Sequence, residues 1–454
     1  MINNPIPEIS AQEFASRRRR LLDQLGDQSV AIVKAASLQT RNSDAEYPFR
    51  QNSDFLYLTG FNEPDAYALF VPGREAGEFI LFCLDKDPVA ERWTGIRAGI
   101  EGAVEQYGAD QAFSLSELDQ KFVELTAGRK AIHYLIGSDD ALDLQVIGWL
   151  KQLQAKKRLG IEPPEQLVSL GSLVHDMRLF KSDEEVAMMQ YAADTSAYGH
   201  TQAMLATEPG KFEFEIEAGL LGDFRRKGME PAYTSIVGGG GNACILHYIE
   251  NRCELKSGDL LLIDAGGEHH AYASDITRTF PVNGRFSEPQ RQLYQLVLDA
   301  QYAAIEQVKP GNTWDDPHQA ALRVLVTGLV ELGLLEGDVD ELMKDPEPVE
   351  GETKQPEAAY KQFYMHKTGH WLGLDVHDVG DYKRDGEWRT LEAGMVLTVE
   401  PGLYISPADN VDEKWWNIGI RIEDDVLVTE GGHRVLTHKV VKEVADIESL
   451  MAGE

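Results

Sequence analysis

The chain has 454 residues, 43% of them hydrophobic and 9% aromatic, the composition of a folded protein too long for one hydrophobic core, so two domains are expected. Lys and Arg number 43 against 75 Asp and Glu, a formal charge of −32, which opposes binding to nucleic acid or anionic membranes because both need basic surface. No apolar stretch approaches the roughly 18 residues of a membrane span; no basic segment followed by an apolar one opens the chain; and three cysteines without zinc-ribbon spacing fit a reduced, cytoplasmic compartment.

In chain order, Ser10-x-x-Glu13 predicts a capped N-terminal helix that Arg17 to Arg20 decorate. Helical patterns then alternate with short β-rich runs such as Ser29–Val33, Ala68–Val71 and Phe79–Phe82, which predicts an α/β domain with a mixed sheet over residues 1–177. A second capping box, Ser182-x-x-Glu185, opens a helical linker near Lys181. The boundary falls near Phe180, and a second domain occupies 178–454.

The glycine tract Gly238 to Gly241 lacks the Lys-Ser/Thr of a phosphate-binding loop; close backbone approach to a substrate is the better reading. Cys244 reads as a buried, inert thiol. Asp259 to Phe280 reads as a β-hairpin with Gly266-Gly267 in its connection. A turn centred on an exposed His269 and His270 would set Asp264 opposite Asp275. Ala320 to Leu335 is an amphipathic helix and Asp345 to Gln362 a Pro/Glu/Lys-rich loop. His366 and His370 have i, i+4 spacing, but Gly369 and Gly373 favour strand or loop over helix. In Ile418 to Glu423 the isoleucines share one strand face and Arg421 and Glu423 the other.

Asp264, Asp275, Glu400 and Glu423 each end or adjoin an apolar run. Buried, unpaired carboxylates protonate, and four together raise one another's pKa. Divalent cations relieve both problems, and His370, between the two acidic pairs, completes a two-metal donor set. The competing reading is a buried Arg421–Glu423 ion pair without metal.

The segments Ile263-Asp264-Ala265-Gly266, Ser274-Asp275-Ile276-Thr277-Arg278-Thr279-Phe280, His366-x-x-x-His370-x-x-Gly373, Thr398-Val399-Glu400-Pro401-Gly402 and Ile420-Arg421-Ile422-Glu423-Asp424 resemble, in order, the motifs of the pita-bread metallopeptidases. Ile245-Leu246-His247-Tyr248, the run Gly369 to His377, and in the first half Arg41-Asn42-Ser43-Asp44 with Tyr47 to Phe55 are similar to the aminopeptidase P subgroup. The resemblance implies an α+β pita-bread catalytic domain behind the α/β domain. It implies two divalent metals, Mn²⁺ before Co²⁺ or Zn²⁺, with Asp264 on one, His370 and Glu400 on the other, and Asp275 and Glu423 bridging. It further implies that His247, His366 and His377 hold the substrate and the tetrahedral intermediate, that Glu400 shuttles the proton, and that Arg421 supports the bridging carboxylates. The expected substrates are peptides with proline in second position. The expected assembly is a tetramer or dimer, with Trp93 as a candidate contact. Prolidase would share every ligand but demand a free carboxylate on proline, and a metal-free binding module of the same fold would typically have lost ligands.

Overall fold

A computed structural model describes residues 6–346 and 356–453. They form two compact units, Ile9–Arg178 and Leu179–Glu454, the latter with the N-terminal residues through Glu8.

The first unit is built on a six-stranded sheet. Its spatial order is Gln111–Ser114, Phe79–Cys83, Tyr67–Phe70, Ser29–Lys34, Ala131–Tyr134, Gln166–Ser169. Tyr67–Phe70 runs antiparallel to both neighbours while the outer pairings are parallel, so the sheet is mixed, as expected. Alternate residues Val30, Ile32, Leu69, Ile80 and Phe82 pack with Phe122 and Trp149 into one core, the period-2 consequence of the pleat.

The N-terminal helix Ala11–Leu25 is capped by Ser10, but its arginines do not all decorate it. Arg17 and Arg18 are buried. Their guanidinium groups donate to the carbonyls of Tyr57 and Leu58, both at 3.2 Å, and lie over the rings of Tyr57 and Phe79. Unspent carbonyls at the end of the short helix Ser53–Thr59 make an inward arginine favourable there.

In the second unit, the helix Asp183–Ala206 opens with the expected Ser182–Glu185 capping box. Helices Glu213–Arg226, Glu288–Ile305 and Asp315–Glu331 enclose small antiparallel sheets. One orders Ile236–Gly239, Leu260–Asp264 and Thr277–Pro281; another orders Val396–Val399, Asp424–Thr429 and Gly432–Val435; Gly402–Ile405 pairs with Ile418–Arg421. The amphipathic helix expected over 320–335 ends at Glu331, burying Ala321, Leu322, Leu325, Val326 and Leu329. Of the loop expected over 345–362, residues 347–355 lie outside the described residues, and Ala359–Gln362 form a 3₁₀ turn.

The hairpin register differs from expectation by one pair. Asp264 lies opposite Thr277, and Glu268 opposite Ala273. The turn therefore centres on His270 and Ala271, both at positive φ (48° and 68°), the backbone of a two-residue hairpin turn that normally selects Asn or Gly. His269 is buried, not exposed: its ring faces the Pro7 carbonyl at 3.0 Å and packs on Tyr191. Gly266 breaks the ladder in two. A Cβ there would come within 1.8 Å of the Ser274 carbonyl oxygen, so only glycine lets the strands approach while Gly267–His269 joins a separate sheet.

A candidate metal centre in one cavity

Every site residue expected from sequence lines a single cavity of about 560 Å³. Asp264 ends its strand, and Asp275 sits two residues before Asp264's partner Thr277. Diagonal positions on one face of a sheet remain within reach of each other, so the two carboxylates converge despite the shifted register. His370 and Glu400 come from segments zipped together by backbone bonds: Thr398 N to His370 O at 2.9 Å and Glu400 N to Thr368 O at 2.8 Å. Of the strand or loop expected at His370 in place of a helix, the chain takes the loop. Gly369 permits this approach, since a Cβ would lie 2.1 Å from the Thr398 carbonyl oxygen. Glu423 stands between the strands Ile418–Arg421 and Asp424–Thr429.

Asp275, His370 and Glu423 each offer a ligand atom within 4.8 Å of the others, all three buried. The His370 Nδ1 faces the Trp371 carbonyl at 3.0 Å, leaving Nε2 3.4 Å from Asp275 and 3.9 Å from Glu400. That arrangement leaves a ligating nitrogen aimed at the carboxylates. Tyr233 OH lies against Asp264 Oδ1 at 2.6 Å and against Asp275 Oδ1.

The electrostatics are those of a crowded anionic site. Burial and the charges of Asp275, Glu400 and Asp264 hold the Glu423 carboxyl well above the usual range. Burial likewise lifts Glu400 to about 7, against the pull of His370 and Arg421, and raises Asp264 in spite of Arg421. Burial would depress His370, but its contacts with Asp275 and Glu400 push it to about 9. Burial would raise Asp275 too, but His370 holds it below the usual range. Oxygen donors with one imidazole, three of the four carboxyls raised by burial and crowding, fit hard divalent cations.

Arg421 does not pair with Glu423. Its Nη2 donates to Asp264 Oδ2 at 2.6 Å, its Nη1 to Tyr404 OH at 2.9 Å and its Nε to Thr277 Oγ1 at 3.2 Å. The Thr277 hydroxyl in turn donates to Glu423 Oε2 at 2.7 Å. Arg421 thus holds Asp264 directly and, of the two carboxylates expected to bridge, reaches Glu423 through Thr277.

The outer histidines differ in environment. His377 stacks near His370, ring centroids 4.1 Å apart, and burial then His370 lower its pKa. His247 lies in an exposed turn. His366 Nδ1 faces the Lys367 carbonyl and Nε2 the Tyr404 hydroxyl, both at 2.8 Å. A carbonyl only accepts, so Nδ1 carries the proton and Tyr404 donates to Nε2. Burial and Arg421 push His366 down to about 3.

Residues not singled out from sequence complete the surroundings: Tyr233, Thr277, Tyr404, and a buried chain in which His318 Nδ1 and Tyr364 OH meet Thr368 Oγ1 at 2.8 and 2.6 Å. Asp425 holds the Asp275 backbone N–H through both carboxylate oxygens, at 3.2 and 3.1 Å. Thr277 lies within a quoted motif and Asp425 adjoins one, whereas Tyr233 and His318 carry no local signal. The tract Gly238–Gly241 does not line the cavity. A Cβ on Gly239 or Gly241 would strike Leu255 or Asn417 at 2.8 or 2.9 Å, so its close approach is to the protein itself. Cys244 is half-buried rather than buried, its thiol raised to about 11 by burial, and Cys83 is the buried cysteine.

The family model described as "Metallopeptidase family M24" matches residues 187–430, and "Aminopeptidase P, N-terminal domain" matches 14–134. The Xaa-Pro aminopeptidases of Escherichia coli and Haemophilus influenzae are 45% and 44% identical to the chain, each covering 98% of it and 99% and 98% of their own lengths. The solved structure of Pseudomonas aeruginosa aminopeptidase PepP superposes with a TM-score of 0.94 at 51% identity, covering 99% of both chains. With the α/β mixed-sheet unit and the pita-bread unit both present, the chain belongs to metallopeptidase family M24.

Proposed function

We propose that the chain is a metal-dependent Xaa-Pro aminopeptidase, releasing the first residue from peptides with proline in second position. The observation that carries this reading is the convergence of Asp264, Asp275, His370, Glu400 and Glu423 in one cavity, in a chain similar over its length to enzymes of that name. Two divalent cations, for which the oxygen-rich donors favour Mn²⁺ over Co²⁺ or Zn²⁺, would supply an activated water at neutral pH and polarise the scissile carbonyl.

The chain's own residues have separable tasks. Asp264, Asp275, His370, Glu400 and Glu423 would hold the cations, and Glu400 moves the proton to the leaving nitrogen. His377 and His247 face the open cavity and stabilise the carbonyl oxygen as charge develops. His366 has both ring nitrogens engaged, so it fixes the Tyr404 hydroxyl, which Arg421 also meets at 2.9 Å, on the wall of the site. Proline at the second position brings a tertiary amide without an N–H, so the cavity meets a ring rather than a donor, and Ile236, Leu246 and Val376 supply apolar wall.

A prolidase would need a cation reserved for the product carboxylate. Arg421 is committed to Asp264, Tyr404 and Thr277, and Lys367 to Asp315 at 3.3 Å, which favours a cleft open to longer chains. A cytoplasmic location accords with the cysteine usage, and among the described residues no helix is long and apolar enough to cross a membrane. Self-association as a tetramer or dimer is proposed on the exposure of Trp93 and Ile96, at 86% and 88%; light scattering showing only monomer would reject it.

His377→Ala is expected to lower kcat by about 10²–10³-fold with metal content intact, while His370→Ala loses metal. Equal metal loss in both, measured by elemental analysis, would contradict the division of roles. Rates on Xaa-Pro, Xaa-Pro-Yaa and Xaa-Ala-Yaa at equal concentration should be highest for Xaa-Pro-Yaa. Cleavage confined to the dipeptide would reassign the chain to prolidase, and preference for the alanine peptide would remove proline specificity.

A further inference from the structure

His247 sits in a turn that no strand ladder holds. It follows the 3₁₀ helix Gly240–Cys244, and of residues 245–250 only Tyr248 is buried. One side chain from another element gathers this stretch. Glu213, the first residue of the helix Glu213–Arg226 and 0% exposed, accepts four hydrogen bonds from the segment Gly239 to Cys253 that carries this turn. Its Oε1 receives the Gly239 N–H at 2.8 Å and the Asn242 Nδ2 at 2.9 Å. Its Oε2 receives the Tyr248 hydroxyl and the Cys253 N–H, both at 2.8 Å.

Those donors span the beginning, middle and end of the segment that carries His247. The acceptor must therefore have two oxygens and no proton of its own, which among neutral and acidic side chains only a carboxylate provides. Glutamine would keep the length but turn an N–H₂ toward two donors. Tyr248 is the neighbour of His247 in sequence, so its bond to Oε2 bears most directly on where the imidazole stands. Glu213 itself does not line the cavity.

We propose that Glu213 is a positioning residue that sets the height and angle of His247 over the carboxylate-lined cavity. This rests on the reading of His247 as a group that contacts substrate. A displacement of about 1 Å in a group that meets the reacting atoms costs on the order of 10²-fold in rate, so a carboxylate that touches no substrate can still govern turnover.

The test is a double-mutant cycle in the full-length, Mn²⁺-loaded enzyme, with kcat/KM on a Xaa-Pro-Yaa peptide and bound metal per subunit as readouts. Glu213→Gln should lower kcat/KM about 10- to 100-fold with metal content unchanged. In a His247→Ala background the same substitution should cost less than about threefold, since the group it positions is gone. Tyr248→Phe removes a single bond; it should give a smaller loss that is equally silent in the His247→Ala background, and it serves if Glu213→Gln does not fold. Losses that multiply in the double variants, loss of metal in step with activity, or parental kcat/KM in Glu213→Gln would each overturn the inference alone. Full activity in His247→Ala would overturn the contact role of His247 and the inference with it.

Discussion

Four carboxylates share the walls of one cavity, and most of the second unit's local structure serves to keep them there. Two like charges about 5 Å apart at an effective dielectric of about 20 repel by about 3 kcal/mol, and burial adds a desolvation cost on top. The elevation of Glu423, Glu400 and Asp264 is the record of that conflict. Arg421 on Asp264, Tyr233 against Asp264 and Asp275, and Thr277 on Glu423 fix the oxygens without neutralising the set. A site left with that excess negative charge is one prepared for cations.

Behind this layer stands a second, centred on the fully buried Arg278 and Asp424. Arg278 donates to the Glu423 carbonyl at 2.6 Å and to Asp424 at 2.7 Å, and Lys442, Gln301 and Thr437 also reach Asp424. Burial would raise the Asp424 carboxyl, but these two cations hold it well below the usual range, so it stays ionised. The main chain between Asp424 and Glu423 is thereby locked from both sides, and Asp425 does the same for the Asp275 amide. A strand edge pinned in this way can present Glu423 and Asp275 at fixed positions, which metal ligation requires.

Much of this was legible in the sequence because strand periodicity and family motifs agree. Apolar runs ending in an acid place that acid at a strand terminus, and alternation from Ile418 to Glu423 assigns faces without any register. Register itself was not legible. The turn uses His270 and Ala271 at positive φ, residues that do not announce such a backbone, and an assumed centre one residue away shifted every pairing. Buried Arg17 and Arg18 and buried His269 escaped for a related reason. Their partners are backbone carbonyls of Tyr57, Leu58 and Pro7, which have no side-chain signature. Tyr233, distant in sequence from the acids it contacts, is visible only once the fold brings it to them.

Asp264, Glu400 and Glu423, their carboxyls raised above the usual range, are held with Asp275 and His370 in one place suited to divalent cations, whose arrival should displace protons. Calorimetric titration of metal-free protein with Mn²⁺ at pH 7, in buffers of differing ionisation enthalpy, measures metal stoichiometry and protons released together. Two metals per subunit bound with net proton release is the expected result, falling away when Glu423 is replaced by glutamine. Binding of no metal at this site, or binding of two without any released proton, would contradict it.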